Sequence, residues 1–249
     1  MESIDLLHYA FLALVVTLAF AVRGATGFGS GAVAVPLAAL AFPVQIVIPV
    51  INNLQLFSNA TFSARNWRLV AWREVLRIMP FAALGVLLGL YLFYRLDARA
   101  IAKGLGLFVI VYAIYAMATA GRKEDAASRR PSWPLAVSLS AGGGFAGALF
   151  GGASSPFYVM YLRALSMARD GFRATMTMII LMQVVLRIGG YAGMGFLDTR
   201  ALLISAAVLP FMMLGAKFGD LIAERVAPRT FNRVIGAVLL LSGTALLLK

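Results

Sequence analysis

The sequence predicts an all-α polytopic membrane protein made of two inverted repeats, with about five helical segments in each repeat. Of the 249 residues, 61% are hydrophobic and 13% are charged, so a soluble fold could not cover its apolar surface. A pattern of glycine and proline occurs twice, and Lys and Arg concentrate in alternate connections. Short broken or re-entrant segments are expected at the glycine motifs, because glycine disfavours a continuous helix.

The apolar runs are rich in helix formers and lack the alternation of a barrel strand, so each run is assigned to a helix. In the first half the runs cover residues 6–23, 29–42, 44–64, 74–94 and 99–120. In the second half they cover residues 135–149, 152–164, 172–194, 201–223 and 230–248. The short runs lie beside the glycine motifs and fall below the roughly 20 residues of a straight span, which places the breaks there.

The chain divides at one polar stretch, GRKEDAASRRPSWP, which occupies residues 121–134. We expect residues 1–121 to form the first membrane repeat, 122–134 a cytoplasmic linker and 135–249 the second membrane repeat. The first residues, Met1–Leu7, hold two acidic side chains and no basic ones, so a cleavable signal peptide is not expected.

Two blocks of glycine and proline support an internal duplication. The first block recurs at an offset of 120 residues and pairs Gly24, Gly27, Gly31 and Pro36 with Gly144, Gly147, Gly151 and Pro156. The second block recurs at an offset of 130 residues and pairs Pro80, Gly85 and Gly89 with Pro210, Gly215 and Gly219. Ordered blocks that keep their internal spacing indicate two related halves, joined by loops that tolerate insertion.

The distribution of Lys and Arg predicts the orientation of the chain. Fourteen of these residues fall near 65–77, 122–130, 163–173 and 225–233, and five fall in the connections on the opposite side. The positive-inside rule assigns the first set to the cytoplasm and leaves both termini outside it. With an odd number of segments in each half, the halves are inverted, and a substrate site is expected between them near the midplane.

The first motif, Arg23–Gly31, contains four glycines and predicts a break inside the membrane. Freed backbone groups are tolerated there only beside protein or a watery cavity. The helix start after the break offers N–H groups, which form a ready site for an anion. In the second motif, residues 142–156, Ser154 and Ser155 add hydroxyl donors.

Close helix packing is the competing interpretation of the two motifs. Gly27 and Gly31 form a GxxxG pair, and Gly147 and Gly151 form the matching pair in the second half. Small residues at this spacing allow two helices to approach each other without any ligand. Both interpretations remain open at the level of the sequence.

Polar side chains inside the third segment of each half supply further candidates. Gln55 and Asn59 are four residues apart, as are Gln183 and Arg187, so each pair shares one helix face. An arginine in mid-membrane costs at least about 2.5 kcal/mol, so Arg187 is expected to face a cavity or partner and to clamp an oxyanion. Snorkelling or a hydrogen bond to backbone carbonyls is the alternative role. Arg23 opens the first motif, either as a second such group or as a membrane-border arginine.

Acidic residues are scarce, and none is expected deep in a segment; Glu74 is assigned to a connection. A proton relay of the usual carboxylate type therefore has no evident carrier. Cysteine is absent, and neither catalytic motifs nor Walker motifs occur. We expect neither an enzyme nor an ATP-driven transporter, and no cofactor, metal site or nucleic-acid partner.

The two motifs resemble those of the TauE/SafE sulfite exporter family of membrane permeases. The first reads GATGFGSGAVAVP and the second GGGFAGALFGGASSP, and the resemblance covers about residues 10–245. The family often has consecutive glycines in the first motif, where Ser30 and Ala32 interrupt the run here. The resemblance implies a multi-pass protein of the bacterial inner membrane that transports sulfur-containing anions such as sulfite, sulfonates or sulfoacetate.

Together, these observations predict a secondary transporter that works by alternating access, and the resemblance implies that a small organosulfur oxyanion binds between the two motifs. The predicted substrate-binding residues are Gly27, Gly29, Ser30, Gly31, Gln55, Asn59, Gly151, Gly152, Ser154, Ser155, Gln183 and Arg187. An anion-selective channel and a non-transporting membrane subunit are the alternatives. The lipid bilayer is the expected environment, and a homo-oligomer is allowed.

Overall fold

The computed structural model describes residues 6–119, 131–222 and 228–248, and within them the chain is helical and has no strand. This confirms the predicted all-α fold. The helices are α1 (Leu6–Thr26), α2 (Ser30–Ala38), α3 (Val44–Asn66), α4 (Trp72–Arg95), α5 (Ala98–Thr119), α6 (Trp133–Leu149), α7 (Ser155–Arg163), α8 (Arg169–Gly193), α9 (Thr199–Ile222) and α10 (Pro228–Leu248), with a 3-10 turn at Trp67–Leu69. Each of the ten apolar runs therefore corresponds to one described helix.

Five of the described helices are long and apolar enough to cross a membrane, namely α1, α4, α5, α8 and α9. Helix α3 is also long, with 23 residues, but its middle carries several amide side chains. Helices α2 and α7 have nine residues each, which corresponds to about 14 Å and half of a bilayer core. The short helices are the ones that follow the glycine motifs.

The outer surface of the bundle is apolar. Large aliphatic side chains on α4 are mostly exposed, including Leu76, Leu84 and Leu87 at 63% each. Leu203 of α9 and Leu241 of α10 are exposed to a similar extent. A protein in water would bury such a continuous surface, whereas lipid tails cover it without penalty. The exposed surface therefore agrees with a multi-pass membrane protein.

Helix α4 packs closely against α6 through two glycines of the second repeated block. A Cβ atom added to Gly85 would collide with the carbonyl oxygen of Ala141. A Cβ added to Gly89 would lie 2.6 Å from the carbonyl oxygen of Phe145. Because both contacts advance in the same direction along the two helices, α4 and α6 run parallel. Glycine is required here for close helix approach.

The same interface recurs between α9 and α1. Cβ atoms added to Gly215 and Gly219 would collide with the carbonyl oxygens of Thr17 and Ala21, respectively. The fourth helix of each half thus packs against the first helix of the other half, and the two halves interlock. This correspondence supports the predicted duplication.

The third helices, α3 and α8, pack against each other, and the fifth helices, α5 and α10, form a separate pair. Gly106 of α5 and Gly243 of α10 approach each other, and a Cβ on Gly106 would lie 2.8 Å from the carbonyl oxygen of Gly243. Helices α3 and α8 carry the polar side chains predicted to bind the substrate. Their contact brings these side chains toward one region.

The inversion of the two halves across a membrane stays a prediction, as does the division at the linker. Helix α6 begins at Trp133, near the end of the predicted linker. Residues 122–130 of that linker lie outside the described residues.

Candidate functional site

Both glycine motifs interrupt a helix with residues in the left-handed region of backbone space. Between α1 and α2 these are Gly27, with a φ of 88°, and Gly29, with a φ of 90°. Between α6 and α7 they are Gly151, with a φ of 67°, and Gly152, with a φ of 115°. L-residues are strained at such angles, so glycine is the residue that permits each break. The predicted broken segments are present in both halves.

The structural correspondence between the motifs differs from the sequence correspondence by about one helical turn. The offset of 120 residues pairs Gly27 with Gly147, but Gly147 lies inside α6. In backbone conformation Gly27 corresponds to Gly151, four residues later. Glycines repeated every four residues allow both alignments, and only the positions of the helix ends distinguish them.

The interpretation of the motif glycines as two GxxxG packing faces is wrong for this fold. Gly27 follows the end of α1, whereas Gly31 lies in α2, so the two glycines do not share a helix. Gly147 lies in α6 and Gly151 lies beyond its end, with the same result. A GxxxG face requires one continuous helix.

The two motifs touch each other where α2 begins. A Cβ atom added to Gly31 would lie 2.6 Å from the carbonyl oxygen of Gly151 and 2.8 Å from the Cα atom of Gly152. The side-chain amide nitrogen of Gln55 lies against the same place, 2.5 Å from a Cβ added to Gly152. Gln55 is midway along α3, so backbone from both halves converges near the centre of the bundle. We call this contact the motif junction.

Arg187 of α8 lies beside the end of α6 and is completely buried. Its Nη1 donates to the carbonyl oxygen of Gly147 at 2.6 Å, and its Nε donates to the carbonyl oxygen of Gln183 at 3.3 Å. The backbone N–H of Gly152 also donates to the Gly147 carbonyl, at 3.0 Å. The C-terminus of a helix attracts a cation, so this contact stabilises Arg187 in apolar surroundings. Nη2 of Arg187 has no hydrogen-bond partner.

Ser154 contacts the face of Gly147 that points away from the axis of α6. A Cβ added to Gly147 would lie 3.1 Å from the Cβ of Ser154 and 3.2 Å from Nη1 of Arg187. Ser154 is 1% exposed, and its hydroxyl has no hydrogen-bond partner. Since Ser154 is two residues beyond Gly152, the serine and the guanidinium are both adjacent to the motif junction.

Several buried polar atoms around the motif junction lack a hydrogen-bond partner. These atoms are Oε1 of Gln55, Nδ2 of Asn59, Oγ of Ser154, both amide atoms of Gln183, and Nη2 of Arg187. Folded proteins satisfy most buried polar groups, so such a concentration indicates a place for water or a ligand. All five residues belong to the set predicted from the sequence, whereas Asn52 and Ser63, also on α3, each hold such an atom and are outside that set.

Arg23, at the end of α1, makes a comparable contact in the first half. It is buried, and its Nη1 donates to the hydroxyl oxygen of Ser58. Its Nη2 donates to Oδ1 of Asn59 at 2.6 Å. Arg23 is therefore held by side chains of α3 and is not a border arginine that extends into solvent.

Helices α2 and α7 both begin near the motif junction. Ser30 and Ser155 are their first residues, and both side chains are buried. The first amides of a helix have no acceptor within the helix and carry partial positive charge. Gly31 is the second residue of α2, so its amide belongs to this group. Two short helices thus add electropositive backbone to the buried guanidinium.

Gly27 and Gly29 lie at the edge of this region and contact other groups. Thr177 of α8 donates to the carbonyl oxygen of Gly27 at 3.5 Å, and a Cβ on Gly27 would lie 3.0 Å from Nε of Arg173. A Cβ on Gly29 would meet only Val22, at 4.0 Å. These two glycines provide the chain reversal, and the junction itself is formed by their neighbours.

Two buried tyrosines complete the walls of the site and did not emerge from the sequence. The hydroxyl of Tyr191 donates to the carbonyl oxygen of Ala148 at 2.5 Å, and that of Tyr158 donates to the carbonyl oxygen of Ser140 at 3.0 Å. Tyr191 follows Arg187 by four residues and shares its helical face, so this spacing could have identified Tyr191. No comparable spacing identified Tyr158.

Glu74 has a different environment from the connection that the sequence predicted. Helix α4 begins at Trp72, so Glu74 lies in its first turn, and it is 8% exposed. Tyr161 of α7 donates to its Oε2 at 2.6 Å, and Nη1 of Arg77 lies 3.9 Å away. A carboxylate is favoured in a first helical turn. The predicted run began at residue 74, two residues after the helix starts, which put Glu74 at its edge, and the burial of Glu74 depends on α7.

Two described cavities lie near the two ends of α3, and no residue of the motif junction lines either of them. One has a volume of about 400 Å³ and is lined by Pro43, Arg99 and Lys103 among others. The other has a volume of about 550 Å³ and is lined by Arg73 and Glu74, among others. The motif junction lies between them, midway along the helix.

Comparison with known proteins assigns the chain to a family. The family model described as "Sulfite exporter TauE/SafE" matches residues 12–246, so the chain belongs to the TauE/SafE family. The chain is also 27% identical over 184 residues to the "Probable inner membrane transporter protein TsaS" of Comamonas testosteroni, covering 73% of this chain and 74% of that protein. No solved structure shows a significant match. The chain is therefore a membrane transporter of the TauE/SafE type and not an enzyme.

Proposed function

We propose that this chain is a secondary transporter of small sulfur-containing oxyanions, such as sulfite, sulfonates or sulfoacetate, and that it works by alternating access. We place it in the bacterial inner membrane, the location that the name of the TsaS relative gives for that protein. The family description, which names a sulfite exporter, supports the substrate class. The substrate would bind at the motif junction.

The unpaired Nη2 of Arg187 carries this proposal. A buried guanidinium holds its charge at a large desolvation cost, which a bound anion would offset. Arginine also presents parallel N–H groups that match the oxygens of an oxyanion. Nη1 and Nε are already directed at backbone carbonyls, so Nη2 is the group left for a substrate.

The surrounding groups support an anion over a cation. The hydroxyl of Ser154 and Nδ2 of Asn59 are buried donors without acceptors, and Gln183 can turn the nitrogen of its amide toward a ligand. The first amides of α2 and α7 add positive partial charge. A small oxyanion would accept hydrogen bonds from several of these groups together, as the binding of a charged ligand in a membrane requires.

The closed contact between the two motifs favours alternating access over a channel. Gly31 and Gly152 lie in tight contact, and neither described cavity is lined by residues of the motif junction. A channel would need this contact to open into a continuous pore. A transporter needs only one cavity at a time to reach the substrate, by movement of one helix group against the other.

Flux into proteoliposomes tests the proposed function. Protein reconstituted at equal amounts would be given labelled sulfite or labelled sulfoacetate, and saturable counterflow is expected without steps of single-channel current. Replacement of Arg187 by alanine should reduce flux about 100-fold or more, because a charged ligand loses its buried partner. Arg95→Ala is the matched control, since Arg95 lies at the exposed end of α4 against Tyr91.

The outcomes of the flux experiment are distinct. Normal flux in Arg187→Ala would remove that residue from the proposed site. Current steps from the wild-type protein would favour the channel. Absence of flux for both compounds, together with correct folding of the protein, would contradict the proposed substrate class.

A further inference from the structure

We propose that Arg23 is a positioning residue that fixes Ser58 and Asn59 as hydrogen-bond donors toward the transported anion. The inference rests on the proposed function, because it assigns the role of a second buried arginine beside the same site. It also gives Arg23 and Arg187 different tasks. Arg187 would contact the anion directly, whereas Arg23 would act through α3.

The chemistry of the guanidinium determines the orientation of the Asn59 amide. Arginine has five N–H donors and no acceptor, so only the oxygen of the amide can accept from Nη2 of Arg23. An amide in the opposite orientation would place two donors against each other, 2.6 Å apart. The orientation of Asn59 therefore follows from its partner, and its Nδ2 is left as a donor.

That donor is buried and has no partner. Asn59 is 1% exposed, and Nδ2 makes no hydrogen bond. A buried N–H without an acceptor is destabilising, so its presence here points to a ligand that accepts a hydrogen bond from it. An oxyanion would satisfy Nδ2, whereas a cation would be repelled by it. Arg23 thus makes Asn59 selective for the charge of its ligand.

The same reasoning applies to Ser58. Its hydroxyl oxygen accepts from Nη1 of Arg23, and the hydroxyl proton must then be directed elsewhere. A hydroxyl that accepts from a cation is also a stronger donor, because hydrogen bonds in a chain polarise one another. Ser58 and Asn59 are adjacent, so one guanidinium sets the polarity of both.

The position of Asn59 on α3 connects this pair to the motif junction. Asn59 lies one helical turn beyond Gln55, and residues at this spacing share a face about 6 Å apart. Gln55 itself lies against Gly31 and Gly152. Asn59 is therefore about one helical turn from the junction on the same face of α3, close enough for its side chain to reach an anion that extends from there.

A double-mutant cycle on Arg23 and Asn59 tests the inference. Lysine at position 23 keeps the charge but lacks the planar fork that holds Ser58 and Asn59 together. We expect Arg23→Lys and Asn59→Ala each to weaken equilibrium binding of labelled sulfite or sulfoacetate about tenfold. Because Arg23 would act through Asn59, the double variant should bind about as weakly as Asn59→Ala alone. Asn66→Ala, on the same helix and away from the site, is the control.

Additive losses in the double variant would show that Arg23 contacts the anion independently, and would overturn the inference. Unchanged binding in Arg23→Lys would overturn it as well. Failure of the wild-type protein to bind either compound would contradict the proposed function together with the inference. Normal wild-type binding with an additive cycle would contradict the inference alone.

Asn59→Asp keeps the test valid if Asn59→Ala does not fold. The introduced carboxylate still accepts from Arg23, so thermal stability should be maintained or increased. The donor facing the anion becomes a negatively charged acceptor, and affinity should fall about 100-fold or more. A stable Asn59→Asp variant with wild-type affinity would rule out Asn59 as a donor and would overturn the inference.

Discussion

Arg23 and Arg187 make the same kind of contact in the two halves of the protein, from opposite sides. Each contact joins the end of a first helix to a third helix, α1 to α3 in one half and α6 to α8 in the other. In the first half the arginine is on the first helix, and its terminal nitrogens meet the side chains of Ser58 and Asn59. In the second half it is on the third helix, and Nη1 meets the backbone of Gly147.

Under the proposed function, this difference in partners gives Arg23 a structural role and Arg187 a role in binding the anion. Side chains can be arranged to fit both terminal nitrogens of Arg23, so that contact is complete within the protein. The carbonyl oxygens of Gly147 and Gln183 accept from Nη1 and Nε of Arg187, and Nη2 remains without a partner. Under the proposed function, the two halves form one anion site in place of two, because related halves keep the helix contact while its residues diverge.

The largest expected effect tests whether the two motifs must touch. Gly31→Ala would place a Cβ atom 2.6 Å from the carbonyl oxygen of Gly151, in backbone that cannot easily move. We expect a destabilisation of about 3 kcal/mol, because overpacking forces the backbone apart. Thermal unfolding in detergent measures the effect.

Gly29→Ala is the matched comparison for Gly31→Ala. Gly29 has a φ of 90° and open space around its Cα, so an added methyl group causes no collision. Gly29→Ala should therefore cost only the backbone strain of an L-residue at this angle, about 1–2 kcal/mol. Equal losses of stability in the two variants would show that contact between the motifs is unimportant.

The next largest effect is the difference in folding stability between the Arg23→Ala and Arg187→Ala variants. Arg23→Ala removes the donors to Ser58 and Asn59 and should cost about 2–3 kcal/mol, because two buried acceptors lose a charged partner. Arg187→Ala also removes a buried cation with an unpaired nitrogen, so its net cost should be smaller. Paired thermal unfolding measurements without ligand compare them. A larger loss for Arg187→Ala would reverse our assignment of the two contacts.

The smallest effect concerns Tyr161 and Glu74, away from both arginines. Tyr161→Phe removes the hydroxyl that donates to Oε2 of Glu74 and should cost about 1 kcal/mol. Anion affinity should remain unchanged, since this contact joins α4 to α7 at the far end of α7 from Ser155. The measurement is thermal unfolding combined with equilibrium binding. A loss of affinity without a loss of stability would place Tyr161 in the binding site.

The sequence predicted the helices and the breaks because strong physical constraints act on single positions. Apolar runs identify membrane helices, and glycine at Gly27 and Gly151 permits backbone angles that other residues avoid. Arg187 was predicted as well, since arginine within an apolar run is costly. Each of these signals can be recognised without knowledge of the neighbouring helices.

The partners of Arg23 could not be predicted, because they depend on how α1 rotates and slides against α3. Ser58 and Asn59 are separated from Arg23 by more than 30 residues, and a shift of one residue would select different side chains. Glu74 was missed for a related reason, since its burial depends on α7. Contacts between helices determine these environments, and one sequence carries little information about such contacts.

Binding of labelled sulfite and sulfoacetate to purified wild-type protein and to Arg187→Gln tests the central claim most directly. Glutamine places an uncharged N–H donor near the position of Nε, so it removes the buried positive charge while keeping a polar group that can donate to the Gln183 carbonyl. The account predicts saturable binding of at least one compound to the wild-type protein, and affinity about 100-fold lower in Arg187→Gln. Equal affinity in the two proteins would contradict the claim that Arg187 holds the anion between the motifs.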